Sequence, residues 1–194
     1  MLLKSIYEYK KLSRDESTGK RLYACPDGSK VPSVTTVLDS TKDKTFLIEW
    51  RKRVGDVEAN RRTRNAVERG NWLHGVLEDL FNGEDIETHF DNAPQFLPYY
   101  QSIQDFLDCI DEPQLVESAI SWYCPSREIG YAGTFDMLAT MKTGSFALLD
   151  WKTSYKHKSD SQLADYRMQL GAYVQALEQM YDIEINEAHC AIAI

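Results

Sequence analysis

Long apolar runs are missing from this chain: nowhere do its hydrophobic residues gather into the roughly 20 consecutive positions that a membrane-spanning helix requires. No membrane association is therefore expected. The opening segment, MLLKSIYEYKKL, has scattered apolar positions and no small-residue cleavage pattern, so an intracellular, cytoplasmic protein is expected rather than a secreted one. Cysteine is scarce and dispersed. Cys25, Cys109, Cys124 and Cys190 include no C-x-x-C pair, which argues against zinc and iron–sulfur sites and for ordinary reduced thiols. Internal repeats, low-complexity tracts and an obvious linker are also lacking, so one domain over residues 1–194 is expected, long enough to enclose a core.

Positive charge is missing from a long central span. No lysine or arginine occurs between Arg69 and Arg127, and such a span repels nucleic acid except where metal ions offset its carboxylates. Residues 1–75 carry 16 Lys and Arg against 10 Asp and Glu, whereas residues 76–194 carry 6 against 20. A basic first part suits a polyphosphate partner and equally suits solvated helix faces, so charge leaves both readings open.

What is present reads as alternating elements. YEYKKL and RLYACP predict a peripheral hairpin over residues 1–30, joined by the turn-rich RDESTGK. VPSVTTVLDST is a β-branched run whose Asp39, Ser40 and Thr41 could begin a helix. The rest of residues 31–114 is expected to be mostly helical, with Trp72, Leu73, Val76, Leu77 and Leu80 forming an apolar stripe and Gly83 a stop. The polar, twice proline-bearing stretch from Glu84 to Pro98 predicts a loop, and YYQSIQDFLDCI one short amphipathic helix. Residues 115–194 predict β-β-β-α-β: LVESAISWYC, YAGTFDMLATM, SFALLDWKTS, a helix from Leu163 through Met180, and NEAHCAIAI. The expected fold class is α/β, a mixed sheet flanked by helices and preceded by the hairpin and the helical segment.

Two opposite charges interrupt the buried-looking strand LLDWKTS. Side chains alternate across a strand, so Asp150 and Lys152 share one face while Leu149, Trp151 and Thr153 share the other. Asp136 ends GTFD in the preceding strand, and pairing of the two strands would bring both carboxylates together. Like charges held close call for a cation. Glu117 is a third oxygen donor, and Mg²⁺ or Mn²⁺ suits carboxylates that share an ion with a phosphate. Lys152 then neutralises charge on that phosphate or holds the attacking water. Gln169 and Tyr173, four apart, lie on one face of the following helix. A D-x-K triplet is also a common surface ion pair, and Gln with Tyr a common core pair; it is the combination that points to a site.

GTFD, LLDWKTS and QLGAY, in that order, resemble the PD-(D/E)XK nuclease superfamily, particularly its RecB-like exonuclease branch. RGNWLHGVLEDL looks like that branch's upstream histidine helix, and VPSVTTVL with EWRKRVG is similar to the start of the mitochondrial genome maintenance exonuclease group and related phage proteins, with roles in DNA replication, recombination and repair. The resemblance covers about Val31 to Ile194 and implies a restriction-endonuclease-like core. It implies that Asp136 and Asp150 ligate the metal, that Lys152 is catalytic, that His74 is a further ligand or leaving-group contact, and that Glu117 is an acidic member. Gln169 is implied to orient the D-x-K strand or touch a phosphate, supported by Tyr173. The iron–sulfur cluster of some relatives is not expected, because Cys190 stands alone.

The implied activity is metal-dependent phosphodiester hydrolysis on DNA, from single-stranded or otherwise free ends. Arg51, Lys52, Arg53, Arg61, Arg62 and Arg64 offer a groove for the backbone, and Trp50 and Trp72 either stack on bases or fill the core. Two alternatives stand beside it. A nuclease fold that binds DNA or a replication or recombination partner without cutting would use the acidic span from Glu78 to Glu117. A metal enzyme acting on a small phosphoester would lack the salt dependence of nucleic-acid binding.

Overall fold

The computed structural model describes residues 12–15, 22–25 and 28–194. Three short strands, β1 (Ser13–Asp15), β2 (Leu22–Ala24) and β3 (Lys30–Pro32), form an antiparallel sheet in that order. RLYACP is present as β2. The expected partner YEYKKL lies outside the described residues except for Leu12, and β1 instead takes Arg14 and Asp15 from the segment read as a turn. An ion pair of 3.0 Å from Lys30 holds Asp15 in this sheet.

A helix begins earlier than the β-branched run suggests. Ser33 follows β3 and its hydroxyl accepts the Thr36 amide at 3.0 Å, capping α1 (Val34–Thr41), which ends where the sequence placed a helix start. A satisfied cap outweighs the weak strand preference of Val and Thr. Ser33→Ala is expected to cost about 1 kcal/mol, read as a lowered midpoint in chemical denaturation. Next come α2 (Thr45–Val54) and α3 (Asp56–Asn82), meeting at Gly55. The stripe of α3 is buried through Leu73, Val76 and Leu77, and Gly83 ends the helix with a φ of 80°.

The segment expected as a loop is partly helical. It holds α4 (Glu87–Asn92) and a 3₁₀ turn at Pro94–Phe96, and the single helix expected after it is divided into α5 (Leu97–Gln101) and α6 (Gln104–Leu107). Pro94 and Pro98 occupy first turns, where a missing N–H leaves no ladder bond broken, while Phe96 and Ile103 turn inward.

Four strands build the main sheet in chain order: β4 (Ile110–Cys124), β5 (Ile129–Met141), β6 (Phe146–Thr153) and β7 (Glu187–Ala193). The first three are antiparallel; β7 returns parallel to β6 through α7 (Asp160–Tyr181). The expected β-β-β-α-β order is present with longer elements. Strand β4 starts at Ile110 rather than Leu115, passing Pro113 at a register shift where its absent N–H is tolerated. Helix α7 starts before Leu163 because Ser159 and Gln162 form a capping box.

Both faces of this sheet are covered. Leu73 and Leu77 of α3 pack with Met137, Leu149 and Trp151 on one side, and Leu170, Tyr173 and Leu177 of α7 pack with Phe135, Leu138 and Leu148 on the other. Tyr23, Cys25 and Val31 attach the small sheet to Ala132. This is the mixed sheet flanked by helices that the sequence predicts. Among the described residues, no helix is long and apolar enough to cross a membrane.

Candidate metal centre

The β5–β6 ladder ends at the pair Met137–Leu149, and Asp136 and Asp150 are the next residues beyond that end on their two strands. Both are buried, Asp150 with 1% exposure. The Trp151 amide donates to Asp136 Oδ2 at 2.6 Å. Burial, reinforced by the neighbouring Asp150 charge, pushes the Asp136 carboxyl up to about 7; His74, Lys152 and that amide offset only part of it. Asp150 is paired with the Lys152 ammonium. Burial by itself would lower the Lys152 pKa, but Asp150 and Asp136 outweigh it and the net direction is upward, so the lysine stays protonated.

His74 arrives from α3. Its Nε2 lies 3.0 Å from the Trp151 carbonyl oxygen, a group that only accepts, so Nε2 carries the proton and Nδ1 faces the carboxylates. Nδ1 is 3.5 Å from Glu117 Oε1 and 3.5 Å from Asp136 Oδ1. Burial works against protonating the ring, yet Glu117 and Asp136 overcome it and raise the His74 pKa above its ordinary value. The upward shift favours a proton on Nδ1, where a metal ligand would need its lone pair.

Glu117 reaches this point through an unusual backbone. It sits in β4 between the pairs Val116–Met137 and Ser118–Phe135, hence across from Asp136, with a φ of 45°. A non-glycine residue in the left-handed region costs on the order of 1–3 kcal/mol and such strain gathers at functional sites. One ligand atom from each of His74, Glu117 and Asp136 lies within 4.8 Å of the others. Two carboxylate oxygens and an imidazole nitrogen are donors a divalent ion accepts, and Lys152 alone cannot balance three carboxylates. The donor set fits a divalent ion. Asp150 stands beside this group, its oxygens turned to Lys152, to Gln169 and to the Cys190 thiol.

Gln169 and Tyr173 are where the helix spacing puts them. Gln169 Nε2 lies 3.3 Å from Asp150 Oδ1 and 3.2 Å from the Tyr173 hydroxyl oxygen. Burial raises the Tyr173 pKa, keeping the hydroxyl neutral. The glycine of GTFD now has a physical reason: a Cβ on Gly133 would fall 2.9 Å from Tyr173 Cε1. Gly133→Ala is expected to displace Tyr173 and, through it, Gln169, at a cost of about 1–3 kcal/mol, seen as a lowered melting temperature and a reduced rate of any metal-dependent reaction.

Other expected residues are more dispersed. Arg51 bonds Asp56 and Asn60, Arg61 and Arg62 both grip Glu58, and Lys52 and Arg64 are exposed on α2 and α3. Trp72 belongs to the core, packed on Phe90 and Phe96 with its Nε1 donating to the His89 carbonyl. Cys190 was not anticipated at the site. The parallel pairing of Asp150 with Cys190 places it there, and burial pushes its thiol up to about 12. Arg69 and Tyr166 were also missed; the Lys152 ammonium lies 5.6 Å from the centroid of the Tyr166 ring.

The family model of the PD-(D/E)XK nuclease superfamily matches residues 46–191, about three quarters of the chain. No curated protein matches the sequence.

Proposed function

Because this chain belongs to the PD-(D/E)XK nuclease superfamily, we propose that it is a metal-dependent deoxyribonuclease of the RecB-like branch, an exonuclease that hydrolyses phosphodiester bonds from single-stranded DNA ends. The observation that carries the reading is the convergence of His74, Glu117 and Asp136 beside the Asp150–Lys152 pair. His74 Nδ1, Glu117 and Asp136, with Asp150 as a further carboxylate, would hold Mg²⁺ or Mn²⁺, which when bound supplies Lewis-acid stabilisation of phosphate charge and a more acidic water. The Trp151 carbonyl keeps His74 in the tautomer that leaves Nδ1 unprotonated once the pH permits. Lys152, protonated, neutralises charge on the phosphate and donates to the attacking water rather than removing its proton. Gln169 holds Asp150 in place. The basic residues of α2 and α3 supply the DNA path, and the RecB-like branch supplies the preference for ends.

End-labelled single-stranded and duplex DNA, incubated with Mg²⁺, Mn²⁺ or chelator, tests the proposal. Progressive, metal-dependent shortening of single strands from one end is expected. Internal cuts would replace the exonuclease mode with an endonuclease mode. Tight DNA binding without cleavage in any metal would replace it with a binding role.

A further inference from the structure

A buried guanidinium outside the metal centre has too few partners. Arg69, on α3, is only 6% exposed. Its guanidinium lies over the Tyr99 ring at 4.7 Å, Nη1 donates to the Tyr99 hydroxyl at 3.2 Å, and Nε has no hydrogen-bond partner. Among the described residues, no carboxylate forms an ion pair with it. Burying a charge without a counter-ion is costly, and an arginine normally avoids it by pairing.

Arg69 lines a cavity of about 490 Å³. Arg61, Arg62 and Lys158 line it too, together with Thr153 and Ser154, and among the described residues no carboxylate does. Thr153 directly follows Lys152 on β6. Lys158, which lines the cavity, and Lys152 of the centre each place their ammonium 5.6 Å from the centroid of the Tyr166 ring. Glu58 pairs with Arg61 and Arg62, whereas among the described residues Arg69 and Lys158 form no ion pair; the forked donors of arginine match the oxygens of a phosphate, and this lining favours an anionic guest.

We propose that this cavity is a phosphate-binding subsite, in which Arg69, with Lys158 and the exposed arginines of α3, holds a phosphate group of the nucleic-acid strand adjoining the one at Lys152. This rests on the nuclease reading. A phosphate here anchors the strand next to the scissile bond and supplies the counter-ion that Arg69 lacks. The chemistry is shared by a terminal phosphomonoester and an internal phosphodiester, which the experiment separates.

The test is binding, measured in chelator so that cleavage is not required. Fluorescence anisotropy of short oligonucleotides with a 5′-phosphate, a 3′-phosphate or neither would be compared for the wild-type chain, Arg69→Lys, Arg69→Gln and Lys158→Ala. Inorganic pyrophosphate serves as a small probe by calorimetry. If the guest is a terminal phosphate, the wild type binds one phosphorylated end about tenfold more tightly and Arg69→Gln loses that preference. If it is an internal phosphate, Arg69→Gln and Lys158→Ala weaken all oligonucleotides about equally and lower the salt slope by about 1. Arg69→Lys is expected to restore only part of either effect. Saturable pyrophosphate binding lost in Arg69→Gln upholds the subsite even in a chain that never cuts DNA. Wild-type affinities for every probe in Lys158→Ala and in a folded Arg69→Gln would overturn it and leave Arg69 a packing residue. Should Arg69→Gln not fold, unchanged binding in Lys158→Ala and Arg69→Lys overturns it equally.

Discussion

Replacing Asp136 with asparagine is expected to lower metal-dependent cleavage by about 10³-fold while raising the melting temperature of the metal-free protein. The two effects have one origin. The Asp136 carboxyl is buried beside Asp150 and pushed up to about 7 from the ordinary 3.8. Between those values the folded chain keeps a proton that the unfolded chain has released, so the metal-free protein loses stability as pH rises through that window. His74 has the same sign: its raised pKa contributes stability that is present below 6.5 and lost as pH rises through its folded value. Asparagine keeps an oxygen for the Trp151 amide and never ionises. At pH 8, without metal, Asp136→Asn should be more stable by at least ~1 kcal/mol, as scanning fluorimetry or denaturant titration would show. Added Mn²⁺ should stabilise the wild type and leave the variant unchanged. Equal or lower stability of the variant in chelator would contradict this account of the carboxyl.

Lys152→Ala is expected to separate catalysis from metal binding. The ammonium is not among the groups that converge on the ion, so Mn²⁺ affinity should stay within a few fold, while cleavage falls by about 10²–10³-fold. The variant should also be less stable by about 3 kcal/mol, because Asp150 would lose the cation that compensates its burial. Arginine is a poor substitute, since its fork does not fit a space made for a point charge. Metal titration, single-turnover cleavage and urea unfolding of the same preparation separate the three. Loss of Mn²⁺ binding in Lys152→Ala would place the lysine in the ion's support instead.

The acidic pair was legible because strand geometry is simple. A period of two put Asp150 and Lys152 on one face, and a short hairpin at Lys142–Gly144 brought Asp136 and Asp150 to the same end of the β5–β6 ladder. Gln169 and Tyr173 were legible from a helical spacing of four. His74 came from resemblance, since a histidine on an apolar stripe does not announce what faces it. Glu117 was named as an oxygen donor, but its direction depends on a left-handed backbone at one strand residue, which no period encodes. Arg69 read as one more charge in a basic segment; only the fold shows that it is buried, with no ion pair to a carboxylate among the described residues. Cys190 needed the parallel return of β7, a contact forty residues from Asp150. The misread elements share another cause. At Ser33, Pro94 and Pro98, capping and first-turn geometry decide the structure, whereas composition suggested a strand and a loop.

Electron paramagnetic resonance of Mn²⁺ with the full chain, titrated at pH 8 and pH 6, tests the converged centre most directly. Saturable binding is expected at pH 8 with nitrogen coupling from one imidazole, lost in His74→Ala, and binding abolished in Asp136→Asn. Affinity at pH 6 should fall at least about tenfold, as protons return to Asp136 and His74. Absence of saturable binding, or binding indifferent to both substitutions and to pH, would contradict it.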